Sequence, residues 1–492
     1  MPGPTPDPNA LPIPLGVRSD TASPQPALTL DSLQHLFPDI PLAAFRAQNT
    51  TVLGPDATVS DPNDLTQTGW CILFASDADP AIQQQLQPLI DLRKRQVVSS
   101  DLFKVFAGDD PNTGGVLLNP DKSPQSASEW ARLHGVSLNA PVDPSIIPYY
   151  ILIVGSPARI PFEFQAALKL QWLVGRLHFG DIADYGRYAA HVVAHESKPW
   201  PTDGTTISKK NAAVWVTRNQ GDVATLLLWR AITGDFRDGK RALGAGPFGF
   251  TLDVYADDAA TKSQLADLMR GRSGHGQPSV LFTGSHGLEC PITEPTHQLT
   301  RQGALVTQAW SKGTAFLPDG SAEDDPCKFT AADIPADNTL PGTMVFLFAC
   351  YSAGCPAADN YYFNTDGSQI PVAPEPLIAA LPQALLANGS LAVIGHIDRA
   401  FPYAFVNLSG TPQVQTIRTP LELMMRGTRV GLAADSFSLA WSSMASLMQL
   451  PASATPNAQA VLASLQAHIA RDDARNYIVL GDPATRLRVK PD

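Results

Sequence analysis

The hydrophobic residues of this chain fall into short runs that are separated by longer amphipathic or polar stretches. The apolar runs lie at 69–75, 149–154, 212–216, 279–283, 344–349 and 390–395. Short runs rich in Val, Ile, Leu and Phe are typical of parallel strands buried on both faces. Helical patterns occupy much of the chain between them, at 79–97, 181–195, 222–243, 374–387, 418–426 and 456–471. This alternation predicts an α/β fold with a doubly wound, mainly parallel sheet.

The same pattern suggests how the chain divides. Residues 1–25 are rich in proline and have no apolar pattern, so we expect a flexible arm. A Gly-rich stretch at 271–278 separates two series of strands and helices. We therefore predict an N-terminal α/β subdomain over 26–275 and a second α/β subdomain over 276–492. The two subdomains lie side by side or share one continuous sheet.

Composition narrows the classes of function. A net charge of -11 disfavours a broad phosphate-binding surface, so we expect no nucleic-acid partner. No apolar run approaches the roughly 18 residues of a membrane span, so we expect no membrane partner. The five cysteines are scattered and form no CxxC pair, and the N-terminus does not have the pattern of a secretory signal. We expect a cytoplasmic protein that needs no cofactor and no metal ion.

Two of the apolar runs end in residues that are able to do chemistry. The run at 279–283 is followed by Gly284-Ser285-His286-Gly287, and the run at 344–349 is followed directly by Cys350. Reacting groups in open α/β sheets gather at the carboxyl ends of strands. If these strands are neighbours, an imidazole and a thiol meet there, as a cysteine nucleophile requires. The alternative is an ordinary buried cysteine and a core histidine.

These motifs resemble those of the caspase-like cysteine peptidases, the group that includes caspases, gingipains, legumains and separases. The shared pattern is an apolar strand ending in His-Gly, here His286-Gly287, and another ending in Ala-Cys, here Ala349-Cys350. The segments 149–155, 174–177 and 476–483 resemble other strands of the gingipain-type branch. The resemblance covers about residues 145–490, so the gingipain-like part of the first subdomain begins near 145.

The resemblance implies a cysteine endopeptidase that acts on protein or peptide substrates. Cys350 would be the nucleophile and His286 the general acid/base. The backbone N–H groups of Gly287 and Cys350 would form the oxyanion hole. The loop at 357–374 would shape the substrate cleft. An activating protease or a regulatory protein, as in signalling or defence cascades, is a further expectation. The alternative from another class is a catalytically silent scaffold that binds proteins.

The resemblance also points to substrate-binding residues. The segment after the 390–395 strand contains His396, Ile397 and Asp398, and Glu163 is the acidic residue nearest the position used by gingipains. Asp398 facing the pocket would select Arg or Lys before the cut, whereas Arg399 facing it would select Asp or Glu. Strand alternation lets only one of the two face the pocket. We favour the basic preference and leave the acidic one open.

Overall fold

The computed structural model describes residues 14–26, 54–110, 113–138, 140–201, 206–237, 249–317, 324–335, 340–406, 411, 413–447 and 458–489. The strands are β1 (Gly16–Arg18), β2 (Trp70–Phe74), β3 (Phe103–Phe106), β4 (Tyr150–Val154), β5 (Leu173–Leu177), β6 (Asn211–Val216), β7 (Thr251–Ala256), β8 (Val280–Gly284), β9 (Gly287–Glu289), β10 (Leu305–Val306), β11 (Lys328–Phe329), β12 (Met344–Phe348), β13 (Gly354–Cys355), β14 (Ala358–Phe363), β15 (Gln369–Pro371), β16 (Leu377–Ile378), β17 (Ala392–His396) and β18 (Tyr477–Gly481).

The helices follow the amphipathic stretches. They are α1 (Leu65–Thr68), α2 (Pro80–Val97), α3 (Ala127–Leu133), α4 (Phe162–Leu168), α5 (Ile182–Glu196), α6 (Val223–Ile232), α7 (Lys262–Met269), α8 (Pro295–Arg301), α9 (Ala380–Ala387), α10 (Gln415–Met425), α11 (Val430–Leu447) and α12 (Ala458–Arg475). Local chemistry fixes several starts. Asp79, for example, caps α2 by accepting a hydrogen bond from the N–H of Ala81, and Pro80 takes the first helical position.

One ten-stranded sheet organises the molecule. Its order is β3-β2-β4-β5-β18-β17-β12-β8-β6-β7. Every neighbouring pair is parallel except β17 and β18, which run antiparallel. The sheet therefore consists of two five-stranded parallel halves that meet at the β17–β18 pair. This confirms the predicted α/β class with a mainly parallel sheet, and it shows the two halves as parts of one continuous sheet.

The halves of the sheet do not follow the predicted boundary at 275/276. β6 and β7 precede that boundary but pair with β8, so they belong to the half that carries the His and Cys motifs. β18, near the end of the chain, pairs with β5 and belongs to the other half. Which half of the sheet a strand joins depends on its pairing with strands distant in sequence. The local hydrophobic pattern does not reveal that pairing.

A buried ionic cluster ties the end of β18 to two helices. Arg93 of α2 contacts Asp482 at 2.6 Å and Glu196 of α5 at 2.6 Å, and all three side chains are nearly or fully buried. The indole N–H of Trp70 also donates to Asp482, at 3.0 Å. Asp482 is a central member of this cluster.

The N-terminal segment is the main departure from the predicted organisation. Residues 1–13 of the predicted flexible arm lie outside the described residues. Residues 14–26 pack against the domain, and we call them the N-terminal strap. Its strand β1 pairs in parallel with β9, and its Leu15 and Val17 are fully buried. Contacts with distant parts of the chain order this segment, which has no apolar pattern of its own.

Candidate active site

The two predicted reactive residues follow neighbouring strands. β8 and β12 pair in parallel, with Gly284 opposite Phe348. The pairing continues one step further, because Ser285 N–H donates to the Phe348 carbonyl at 3.1 Å. His286 and Cys350 therefore leave the same edge of the sheet side by side. Both side chains are fully buried. Tyr351 follows with φ of +56°, a left-handed conformation that turns the chain sharply after Cys350.

Gly287 lies directly against the backbone of Cys350. A Cβ atom added at Gly287 would stand 1.9 Å from the Cys350 carbonyl oxygen and 2.9 Å from its nitrogen. Only glycine permits this approach. It brings the N–H groups of both residues to one point. There they donate to a single acceptor, the carbonyl oxygen of Leu15, at 2.9 Å from Gly287 and 3.3 Å from Cys350.

The Cys350 thiol is enclosed by the strap and by the segment after β17. Its Sγ lies 3.5 Å from Gln25 Oε1 and 3.7 Å from the Ala400 carbonyl oxygen, and it accepts from Ala400 N–H at 3.2 Å. Burial raises the pKa of the Cys350 thiol well above its ordinary value. The thiol is therefore protonated while the strap covers it, with the Gln25 amide oxygen and the Ala400 carbonyl oxygen as the acceptors within its reach. All five cysteines of the chain are free.

A third residue, which the sequence did not suggest, contacts His286. Asp222 Oδ1 lies 3.0 Å from His286 Nε2, and both side chains are buried. Asp222 is the N-cap of α6 and accepts from Thr225 N–H at 2.7 Å. The contact with His286 lowers the pKa of Asp222 to about 2, against the opposing effect of burial. Among the described residues, neither ring nitrogen of His286 makes a hydrogen bond of good geometry; because Nε2 faces Asp222, Nδ1 is the nitrogen left for a reacting group. An edge contact with Trp310 further holds the ring.

The four predicted substrate-binding residues lie in different environments. Glu163 is exposed in the first turn of α4. His396 is fully buried at the end of β17, with Nδ1 2.8 Å from the Asp398 carbonyl oxygen and Nε2 3.4 Å from Asp473 Oδ1. Ile397 is buried beside it. The carboxylate of Asp398 accepts from the Asn360 side chain and from the N–H of Arg399, each at 2.7 Å.

Asp398 and Arg399 are both buried, with exposures of 1% and 5%. The alternation argument used for this pair was wrong, because β17 ends at His396 and the chain is no longer a strand at these residues. The Arg399 guanidinium contacts Asp359 at 2.6 Å and Glu289 at 3.3 Å. Burial raises the pKa of Asp398 to about 6.

A cleft of about 450 Å³ lies beside this ionic cluster. Glu289, Asp359 and Arg399 line one part of it, and the strap forms another wall. The segment 357–374 contains the β14–β15 hairpin and contributes further lining residues. Within the described ranges, no three His, Cys, Asp or Glu side chains are grouped to hold a metal ion. No helix of that part of the chain is long and apolar enough to cross a membrane.

Comparisons with known proteins find likeness only in structure. No protein-family model matches the sequence, and no curated protein matches it. Among solved structures, the chain is similar to the Arg-specific cysteine proteinase gingipain R, with 11% identity and a TM-score of 0.47, covering 88% of this chain and 81% of that one. It is also similar to the complex of the Porphyromonas gingivalis RgpB pro- and mature domains, with 11% identity, a TM-score of 0.45, and coverage of 86% and 80%.

A more distant likeness is to the Saccharomyces cerevisiae separase–securin complex. It has 12% identity and a TM-score of 0.33, and it covers 68% of this chain and 15% of that chain. Because the identities and scores are low, the function of the chain has to be inferred from its own site.

Proposed function

We propose that this chain is a cysteine endopeptidase in which Cys350 and His286 act together and Asp222 orients His286. The observation that carries the proposal is the position of the Leu15 carbonyl. This peptide carbonyl oxygen accepts hydrogen bonds from the N–H groups of Gly287 and Cys350. Two backbone donors converging on a peptide carbonyl, next to a thiol, are the arrangement that stabilises the oxyanion in acyl transfer.

The chemistry follows from the residue types. His286 takes the proton of the Cys350 thiol, and the thiolate attacks the carbonyl carbon of the substrate. The N–H groups of Gly287 and Cys350 bind the oxygen as it becomes negative. His286 then protonates the departing amine, and water hydrolyses the thioester. Asp222 stabilises the imidazolium that forms between these steps, as a buried carboxylate beside an imidazole does.

The preference for basic residues before the cut loses support in this geometry. The Asp398 carboxylate is already bound by Asn360 and by the N–H of Arg399, and Glu289 and Asp359 are bound by Arg399. The carboxylates of Asp398, Glu289 and Asp359 are thus already bound to other groups of the protein. Five free cysteines fit a reducing compartment such as the cytoplasm, which we keep as part of the proposal.

The test is selective labelling of Cys350 by a thiol-directed peptide ketone, followed by mass spectrometry of the tryptic peptides. We expect Cys350 to react faster than the buried Cys71, and His286→Ala to slow the reaction at least about tenfold, because the imidazole generates the thiolate. The Cys350→Ala chain should lack turnover and keep its circular dichroism spectrum. Turnover above trace level in Cys350→Ala, or equal labelling of Cys350 and Cys71, would refute the peptidase.

A second function, a silent binding scaffold, has one observation in its favour. The Cys350 thiol is fully buried, and Gln25 stands against it. If this cover is permanent, no reagent reaches the thiol without unfolding. The same labelling experiment separates the two functions, because a scaffold would show Cys350 reacting only in denaturant.

A further inference from the structure

The strap crosses the candidate active site in the manner of a bound peptide. The Leu15 carbonyl oxygen accepts from Gly287 N–H and Cys350 N–H, and the Leu15 N–H donates to the Ala400 carbonyl at 2.9 Å. All three bonds use main-chain atoms, so another peptide is able to make them equally well. In a peptidase, the carbonyl held by the oxyanion donors belongs to the residue immediately before the cut. Leu15 therefore stands at that position.

The chain after Leu15 takes the path of the leaving side of a substrate. Gly16, Val17 and Arg18 pair in parallel with Gly287, Leu288 and Glu289 of β9. Addition of a strand to an exposed edge is a common way to bind an extended peptide, because backbone bonds supply affinity and alternate side chains supply specificity. The strap is thus held on both sides of the Leu15 carbonyl.

The Leu15 side chain indicates which kind of side chain fits the subsite for the residue before the cut. It is fully buried and belongs to the same continuous apolar core as Cys350 and Ala400. A guanidinium or carboxylate in that place would be desolvated and would need a counter-charge. The nearby charges of Glu289, Asp359 and Arg399 already pair with one another.

We infer that the site takes peptides with an apolar, leucine-like residue immediately before the scissile bond, and that Leu15 of the strap holds this place in the intact chain. The inference rests on the proposed peptidase function only in saying that a bond is cut there. Gln25 completes the cover: its amide nitrogen donates to Glu289 at 2.5 Å while its Oε1 faces the Cys350 thiol. A substrate must therefore displace the strap.

The first experiment measures turnover of the unmodified chain and of Leu15→Asp, on synthetic peptides that differ only in the residue before the cut. The matched control is Thr21→Asp, which places the same charge at an exposed position of the strap. We expect Leu15→Asp to raise turnover at least about tenfold and Thr21→Asp to leave it unchanged. Peptides with Leu should be cleaved at least about tenfold faster than those with Arg or Asp. If Leu15→Asp does not fold, Leu15→Gly removes the same side chain without adding a charge.

The second experiment measures binding without chemistry. A fluorescent peptide of residues 14–26 is titrated into the Leu15→Asp/Cys350→Ala chain and followed by anisotropy. We expect saturable binding that weakens at least about tenfold when Leu15 of the peptide is replaced by Arg, and that is unchanged when Thr21 is replaced by Ala.

The outcomes separate the two proposals. Turnover with Arg preferred over Leu overturns the inference and leaves the peptidase standing. Leu-dependent binding of the peptide, without turnover in any variant, overturns the peptidase and leaves the apolar subsite standing. Peptide binding that does not depend on Leu15, or no binding at all, overturns the inference whatever the turnover.

Discussion

His286 Nε2 lies 3.0 Å from Asp222 Oδ1 in a buried contact between the end of β8 and the start of α6. The contact joins a helix N-cap to the candidate general base. It fixes which ring nitrogen faces the carboxylate and leaves Nδ1 for the reacting groups. The same carboxylate oxygen accepts from Thr225 N–H, so the helix start holds the carboxylate in place. This arrangement gives Asp222 a role that is separable from folding.

Asp222→Asn should lower kcat about a hundredfold while KM changes little. The variant keeps an acceptor oxygen for the Thr225 N–H, so the cap of α6 remains, but it loses the charge that favours the imidazolium. Steady-state kinetics on a peptide substrate measure the effect. Asp181→Asn is the matched control, since Asp181 caps α5 in the same way. Equal kinetics for both variants would show that Asp222 only caps its helix.

Local sequence patterns were enough to predict six strands of the central sheet and to single out His286 and Cys350 as candidates. The runs at 279–283 and 344–349 are short and apolar, and the structure places β8 and β12 there as neighbours. Asp222 and Leu15 were missed because their partners lie far away in the sequence. Gln25, which lies on the same strap as Leu15, contacts Cys350 from 325 positions away. Only the assembled sheet brings such residues together. The choice between Asp398 and Arg399 could not be made from the sequence, because the alternation rule was applied past the end of β17 at His396.

Gly287→Ala should reduce turnover at least about a hundredfold and destabilise the fold by about 1–3 kcal/mol. The added Cβ would stand 1.9 Å from the Cys350 carbonyl oxygen, and main-chain atoms cannot swing aside as a flexible side chain does. Any shift also misplaces one of the two oxyanion donors. Kinetics and urea unfolding test this. Gly180→Ala, with open space around the new methyl group, should change neither quantity. Normal turnover in Gly287→Ala would exclude the proposed oxyanion hole.

Asp398→Asn should flatten the dependence of stability on pH between about 4 and 7. Burial raises the pKa of Asp398 from 3.8 to about 6, so the folded chain favours the protonated carboxyl. The stability that this carboxyl contributes is therefore present below about pH 4 and is lost as the pH rises through about 6. A shift of this size corresponds to on the order of 3 kcal/mol.

Urea unfolding at pH 4, 5, 6 and 7 measures the effect of Asp398→Asn, with the exposed Asp101→Asn as control. Asp222 and Glu196 act in the opposite direction, because their pKa values are lowered to about 2. Their contribution is lost only as the pH falls below about 4, so it does not obscure the window. Parallel profiles for wild type and Asp398→Asn would contradict the assignment.

Arg93→Met should destabilise the fold by about 3–5 kcal/mol. Arg93 contacts both Asp482 and Glu196, and its removal leaves two buried carboxylates without their cation. The unfavourable burial of those carboxylates is then uncompensated, and the end of β18 loses its link to α2 and α5. Thermal and urea unfolding measure the loss. Arg95→Met lies on the same helix but is exposed, so it should change stability by less than about 0.5 kcal/mol. A variant as stable as Arg95→Met would show that the cluster does not stabilise the fold.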